Sequence, residues 1–221
     1  MTLKIVLSLV GAALAVSCAT AGPREDFFRA VAVDNPRAVQ SQIERGLDPN
    51  VLDDRKQTAL VLALRDGSPK VARVLIEDRR TDVNATNGSD ESPLMMAALR
   101  GQQEFVDLLL KRDAAVNKTG WAPLHYAATS GQVAIMKQLL EQHAFIDAQS
   151  PNGTTPLMMA AMYGTIDAVN LLLAEGADLA MKNEQGMTAL DFARRGNRPD
   201  AIEALTAAAA RAPQRPGTGK W

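Results

Sequence analysis

The sequence predicts an all-α solenoid of about six helix-turn-helix units, joined by short hairpin-like loops and capped at both ends. A short phrase of the form Thr-Pro-Leu-x-x-Ala, with some variation, occurs five times. Its second residue lies at positions 59, 93, 123, 156 and 189, so the intervals are 34, 30, 33 and 33 residues. Each phrase is followed by apolar residues at helical spacing. A period near 33 residues is typical of stacked units that cannot bury their apolar faces alone.

The most regular unit shows how each element is specified. Thr155 can cap a helix, and Pro156 suits its first position because the N–H that proline lacks would be unpaired there. Residues 157–163 make about two helical turns before Gly164 ends them. A second amphipathic helix follows and stops at Gly176, since glycine adopts the left-handed C′ conformation without steric cost.

The terminal units depart from this plan, as capping units do. Residues 25–46 lack the phrase but predict a first helix, a turn at Asn35-Pro36 and a second helix. In the last unit Gly196 comes one position early, and Pro199 restores the register. We therefore count four internal units and two caps.

Five register-locked copies of the phrase, followed by glycine, a leucine pair and a Gly-Ala-Asp turn, closely resemble the ankyrin repeat family over residues 24–210. The versions with paired methionines, at 93–98 and 156–161, look more like bacterial members of the family. The resemblance implies a protein-binding stack rather than an enzyme. It also implies a structural role for His125, whose imidazole would hydrogen-bond loop backbone.

Two irregularities interrupt the stack. The loop before Pro123 is three residues shorter than in the regular units, which predicts a recessed tip that presents Trp121. The loop at 79–82 is one residue longer than in the regular units. Asp113 and His143 replace the glycine that ends the second helix, and both tolerate the left-handed region imperfectly, so we expect each to cost stability.

The N-terminus predicts export. Residues 1–21 combine Lys4, an apolar run and a small-residue Ala-x-Ala site, which is typical of a signal peptide cleaved near Ala21. The mature chain would then be periplasmic or secreted. The alternative is a lipoprotein acylated at Cys18, although the leucine usual three positions earlier is replaced by Ala15. We expect residues 22–210 to form the repeat domain and residues 211–221 a disordered tail.

The composition argues against several classes of function. A net charge of −1 and a pI near 6.1 give no support for nucleic-acid binding. No catalytic or phosphate-binding motif is present, so we expect no enzyme and no cofactor. The nine methionines leave open a copper carrier, but core packing explains most of them.

The family resemblance places the binding surface on the concave face, formed by loop tips and by the exposed ends of the first helices. Apolar residues concentrate in the middle of that face, and arginines lie toward its ends, as an interface centre and rim require. Whether Trp121 binds a partner or only packs over the short loop stays open. We expect a monomer with one protein partner and no membrane insertion. The candidate residues are Arg65, Leu99, Arg100, Trp121, Asn152, Met162, Tyr163, Arg194 and Arg195.

Overall fold

The computed structural model describes residues 22–211, which form six consecutive pairs of helices and confirm the predicted all-α solenoid. The predicted signal segment, with Cys18, and tail residues 212–221 lie outside the described residues. The last helix extends one residue past the predicted domain boundary. The helices are α1 Pro23–Ala32, α2 Pro36–Glu44, α3 Ala59–Asp66, α4 Pro69–Glu77, α5 Pro93–Leu99, α6 Gln103–Lys111, α7 Pro123–Thr129, α8 Val133–Glu141, α9 Pro156–Tyr163, α10 Ile166–Ala174, α11 Ala189–Arg195 and α12 Pro199–Arg211.

The helices lie in two parallel rows. The first helices, α1, α3, α5, α7, α9 and α11, pack against one another in chain order, and the second helices form an outer row behind them. The inner row is in closer contact, because buried alanines such as Ala98, Ala128 and Ala161 keep its side chains small. Closer packing on one side is expected to curve the stack toward that side, so we assign the concave face to the inner row.

Side-chain caps build the starts of the first helices from α3 onward. The hydroxyls of Thr58, Ser92, Thr155 and Thr188 accept the backbone N–H three residues later. In α9 the return bond runs from the Thr155 N–H to the sulfur of Met158 at 3.4 Å. In α7 the cap residue is Ala122, and its N–H is taken by Nδ1 of His125 at 3.1 Å. In α5, α7, α9 and α11 the side chain of the third helical residue thus accepts the N–H of the cap residue, whether or not that residue has a hydroxyl.

An amide ladder connects the loops that follow the second helices. The side chain of Asn84 accepts the N–H of Ala115 and donates to the Asp113 carbonyl. In the next loop, the side chain of Asn117 accepts the N–H of Phe145 at 2.8 Å and donates to the His143 carbonyl at 2.8 Å. Asn50 does the same for Asp82 and Arg80. The fourth position is Asp147, which accepts the N–H of Asp178 at 3.0 Å. An ionised carboxylate cannot donate the second bond of the ladder.

The positions that end the helices confirm one prediction and refine another. Asp113 and His143 take left-handed φ values of 58° and 63°, as predicted from the glycine they replace. Gly164 does not: its φ is −78°. A Cβ there would lie 2.9 Å from Cα of Ala160 and still closer to the Ala128 carbonyl oxygen. Gly164 is therefore needed for close helix packing rather than for its backbone conformation.

Candidate protein-binding surface

A small apolar groove opens at the centre of the concave face. It has a volume of about 240 Å³ and is lined by Leu99 of α5, by His125, Tyr126 and Thr129 of α7, by Met159 of α9, and by Trp121. The indole of Trp121 lies edge-on to both neighbouring rings, with centroid distances of 5.2 Å to His125 and 6.4 Å to Tyr126. Cofactor and drug-sized sites usually occupy about 300–1,000 Å³, so this groove is suited to a single large side chain.

The short loop positions Trp121. The other four tips are each closed by a backbone bond between residues four apart, such as Ser150 N–H to Thr154 O at 2.9 Å. Among the described backbone bonds none closes the short loop in this way. Instead Lys118 pairs with Asp90 of the preceding tip, and Gly120 packs near Pro151 of the following one. The loop is thus held from both sides, and Trp121 turns onto α7.

The polar groups beneath the groove already have partners. His125 is fully buried; its Nδ1 accepts the Ala122 N–H, so Nε2 carries the proton and donates to the Thr154 carbonyl at 3.0 Å. Burial lowers the pKa of His125, which keeps the ring neutral. The Thr129 hydroxyl donates to the His125 carbonyl at 2.7 Å. The groove floor is therefore uncharged.

Tyr126 forms a fixed aromatic wall of the groove. Its hydroxyl donates to Glu91 Oε1 at 3.1 Å, and Oε2 of the same carboxylate accepts a bond from Asn87 at 2.8 Å. Burial, together with the negative charge of Glu91, raises the pKa of Tyr126, so the phenol stays protonated. The hydroxyl is thus already hydrogen-bonded within the protein, and the aromatic ring of Tyr126 is the part that lines the groove.

The structure brings two of the predicted site residues, Leu99 and Trp121, into this groove. Arg100 follows Leu99 and is exposed. It forms no ion pair within residues 22–211. Arg65 lies one helix away and donates to Asp66 at 2.8 Å and to the side-chain Oε1 of Gln57 at 3.1 Å. Its charge is therefore already compensated.

The remaining predicted residues lie outside the groove. Met162 is half-buried against the core, whereas Tyr163 at the end of α9 is 56% exposed. Arg194 pairs with Asp191 at 3.6 Å, and Arg195 lies beside the sulfur of Met187. The Asn152 amide oxygen accepts bonds from Ser150 and Thr154 within its own turn, so that side chain serves the loop first.

Sequence reasoning did not include Tyr126 and Met159 among the site residues. Both occupy the same register, three residues after the second residue of the phrase, where the other units have Leu62, Met96 and Phe192. Large side chains at this position in successive units are a signal for a shared inner surface. The burial of that surface depends on the neighbouring loop, and a repeat alignment alone does not show it.

Comparison with known proteins agrees with this architecture. The model of ankyrin repeats in three copies matches residues 79–150 and 144–214, and the single ankyrin repeat model matches residues 55–88. The chain belongs to the ankyrin repeat family. Ankyrin repeats form protein–protein interaction modules and generally do not catalyse reactions, and this stack is such a module.

The ankyrin stack resembles parts of much longer proteins. It is 33% identical over 109 residues to the ankyrin repeat and SAM domain-containing protein 6 of Rattus norvegicus, and 30% identical over 122 residues to the transient receptor potential cation channel subfamily A member 1 of Homo sapiens. These matches cover 48% and 52% of this chain but 12% and 11% of those proteins. The shared part is the repeat stack.

A solved structure shows the same fold. A chain from the complex of the predatory endopeptidase Bd0816 of Bdellovibrio bacteriovorus with the immunity protein Bd3460 matches with a TM-score of 0.70 at 24% identity. The match covers 83% of this chain and 97% of that one. The likeness extends over nearly all of the other chain, so the number and stacking of the repeats are similar.

Residues 22–211 contain no group of three or more His, Cys, Asp or Glu side chains placed to hold a metal ion. Met95, Met96 and Met158 are buried in the core, where they fill space between helices. Within the same residues no helix has the length and apolar character needed to cross a bilayer.

Proposed function

We propose that this protein is a non-enzymatic binding module of the bacterial periplasm that captures one protein partner along the concave face of its ankyrin stack. The observation that carries the proposal is the groove around Trp121. It is the point where the repeat pattern is broken, it is apolar, and the polar side chains of its floor are already satisfied. A large side chain of a partner can enter it without leaving a buried polar group unpaired.

The proposal also rests on the distribution of residues around the groove. Leu99 and Tyr163 offer apolar contacts on either side, and exposed arginines lie further out. Interfaces commonly combine a central aromatic anchor with a polar rim that excludes water. The indole N–H of Trp121 has no partner within residues 22–211 and can donate to a partner's backbone.

The test compares capture of a partner by the wild type with capture by a double variant, Trp121→Ala with Tyr163→Ala. We expect capture from periplasmic extract to be lost. Trp121 packs against two rings, so the double variant should also unfold at a lower temperature, and capture is measured well below that transition. Phe145→Ala is the matched control, because Phe145 is 67% exposed but does not line the groove.

Two outcomes would contradict the proposal. Capture that persists in a folded double variant would mean that the partner does not use this groove. Equal loss of capture in Phe145→Ala would mean that the loss is not specific to the groove. Circular dichroism at the assay temperature separates both outcomes from simple unfolding.

The periplasmic location is tested separately. The intact mass of the N-terminal fragment from envelope fractions should correspond to a chain starting near residue 22. A fragment that starts at a diacylated Cys18 would show that the protein is a lipid-anchored scaffold instead. The proposed binding surface would be the same in both forms.

A further inference from the structure

We propose that the concave face takes an extended acidic segment of its partner, in which one large apolar side chain enters the Trp121 groove and carboxylates on both sides pair with Arg100 and Arg195. This inference rests on the proposed binding function and names the chemistry of the partner. Three features of the described residues carry it: the state of the charges on the face, the spacing of the free arginines, and the apolar character of the groove.

The charges on the inner helix ends are unevenly compensated. Arg65 pairs with Asp66, and Arg194 pairs with Asp191. Arg100 and Arg195 are exposed, and neither forms an ion pair with a described carboxylate. The row of helix ends thus keeps two free cations although the whole chain has a net charge of −1.

The carboxylates around the groove are already in use. Glu91 accepts bonds from Tyr126 and Asn87, and Asp90 pairs with Lys118. An approaching acidic segment therefore meets free guanidinium groups on both sides of the groove, while the carboxylate of Glu91, which keeps its negative charge, is bonded to Tyr126 and Asn87. A basic segment would be repelled by the same guanidinium groups. Charge complementarity of this kind selects between partners more than it adds affinity.

The spacing of the two arginines sets the length of the segment. Arg100 follows α5 and Arg195 ends α11, three steps apart along the inner row. Neighbouring helices lie about 8–10 Å apart, so the arginines are separated by about 24–30 Å. An extended chain advances about 3.3–3.6 Å per residue, so about seven to nine residues connect the two contacts.

The groove fixes where the apolar residue falls. Its floor is on α7, one step from Arg100 and two steps from Arg195. The same arithmetic places the apolar residue about three positions from one acidic residue and about five or six from the other. The partner segment then has an acidic residue, two spacer residues, a leucine or phenylalanine, four or five spacer residues and a second acidic residue. It can run in either chain direction.

The test uses synthetic fluorescent peptides of about ten residues with this spacing, read by anisotropy against the purified protein. We expect the peptide with glutamates and a leucine anchor to bind in the micromolar range. Replacing the anchor by alanine should weaken binding roughly ten- to hundredfold, because a buried leucine is lost. A peptide with lysines in place of the glutamates should not bind measurably.

The protein variants test the arginines. Arg100→Gln combined with Arg195→Gln should weaken the acidic peptide roughly tenfold and flatten the salt dependence of its affinity. Lys111→Gln combined with Lys137→Gln is the matched control, since it also removes two positive charges, at exposed sites on the outer helices α6 and α8, and it should have no effect.

Several outcomes would overturn the proposal. One is that the lysine peptide binds as tightly as the acidic peptide, and another is that the acidic peptide does not bind at all. Binding of the acidic peptide that is unchanged by Arg100→Gln with Arg195→Gln would overturn it as well. Self-association of the protein that Trp121→Ala abolishes would assign the groove to a second copy. If the periplasmic partner is captured through Trp121 and Tyr163 but not through the arginines, the acidic segment is wrong and the proposed function stands. If Trp121 and Tyr163 do not matter either, the proposed function itself is wrong.

Discussion

Nε2 of His125 donates to the carbonyl oxygen of Thr154 at 3.0 Å, and this bond connects the first helix of one repeat to the tip of the next. The other ring nitrogen accepts the N–H of Ala122 within its own repeat. One buried imidazole therefore satisfies two backbone groups in two repeats. It also forms the floor of the groove and supports Trp121 from below.

Replacing His125 with leucine should destabilise the stack. The change leaves the Ala122 N–H and the Thr154 carbonyl without their partners in a buried position. Each lost partner of this kind costs about 1–3 kcal/mol, so we expect a total loss of about 2–6 kcal/mol in the free energy of unfolding. Urea unfolding followed by circular dichroism measures it, and an unchanged midpoint would show that neither bond matters.

The same residue should make stability depend on pH. Burial lowers the pKa of His125 in the folded state, while the unfolded value is about 6.5. The stability that the neutral ring contributes is fully present above about pH 6.5 and is lost as the pH falls toward the folded pKa. The wild type should therefore lose more melting temperature between about pH 7 and pH 5 than His125→Leu does. Equal losses would contradict this assignment.

Asp147 interrupts the amide ladder, and replacing it with asparagine should stabilise the protein. It accepts the N–H of Asp178, but its ionised form cannot donate to the next loop as Asn84 and Asn117 do. By register the missing acceptor is the carbonyl of Gly176. We expect Asp147→Asn to raise the free energy of unfolding by about 0.5–1.5 kcal/mol at neutral pH. Asn117→Asp is the converse variant and should lose stability.

The gain from Asp147→Asn should fade in acid. Burial, and then repulsion from Asp178, raises the pKa of Asp147 in the folded state. A carboxyl group whose pKa is raised on folding stabilises the native state when it is protonated. This stabilisation begins as the pH falls through the pKa of the folded state and is complete below the unfolded pKa of about 3.9. Melting curves of both proteins across that range should converge. Curves that stay parallel would rule out ionisation of Asp147 as the cause.

The repeat architecture could be predicted from the sequence because its determinants are local. The caps at Thr155 and Thr188, and the left-handed positions at Asp113 and His143, follow from register and backbone chemistry alone. The groove could be predicted only in part. Trp121 was identified from the shortened loop, but its contact with Tyr126 depends on how far the loop collapses onto α7, which no local pattern encodes.

Two glycines that look alike in the sequence should respond differently to alanine. Gly164 has an ordinary φ of −78°, but a Cβ would press on Ala160 and on the Ala128 carbonyl. Gly164→Ala must push two inner helices apart, and we expect it to cost about 2 kcal/mol or more. Gly176 has a φ of 88° and open space around it, so Gly176→Ala should cost about 1 kcal/mol through backbone strain alone.

The partner-binding assay distinguishes these two causes further. Gly164 lies next to Tyr163, so a shift of α9 should also reduce capture, whereas Gly176→Ala should leave capture unchanged at temperatures where the protein is folded. A Gly164→Ala variant that is as stable as Gly176→Ala would show that the inner row can spread without cost. The close packing assigned to Gly164 would then be incidental.

His143 and Asp113 offer the opposite change. Both hold left-handed φ values at the ends of outer helices, where glycine is the residue without strain. The strain relieved by glycine exceeds the extra entropy that glycine loses on folding, so His143→Gly should stabilise the stack by roughly 0.5–1 kcal/mol. Asp113→Gly should gain less, because aspartate visits the left-handed region more readily than histidine. His143→Ala, which keeps a Cβ at the same φ, is the control for loss of the ring and should give no gain. A gain equal to that of glycine would trace the effect to the imidazole and not to the backbone.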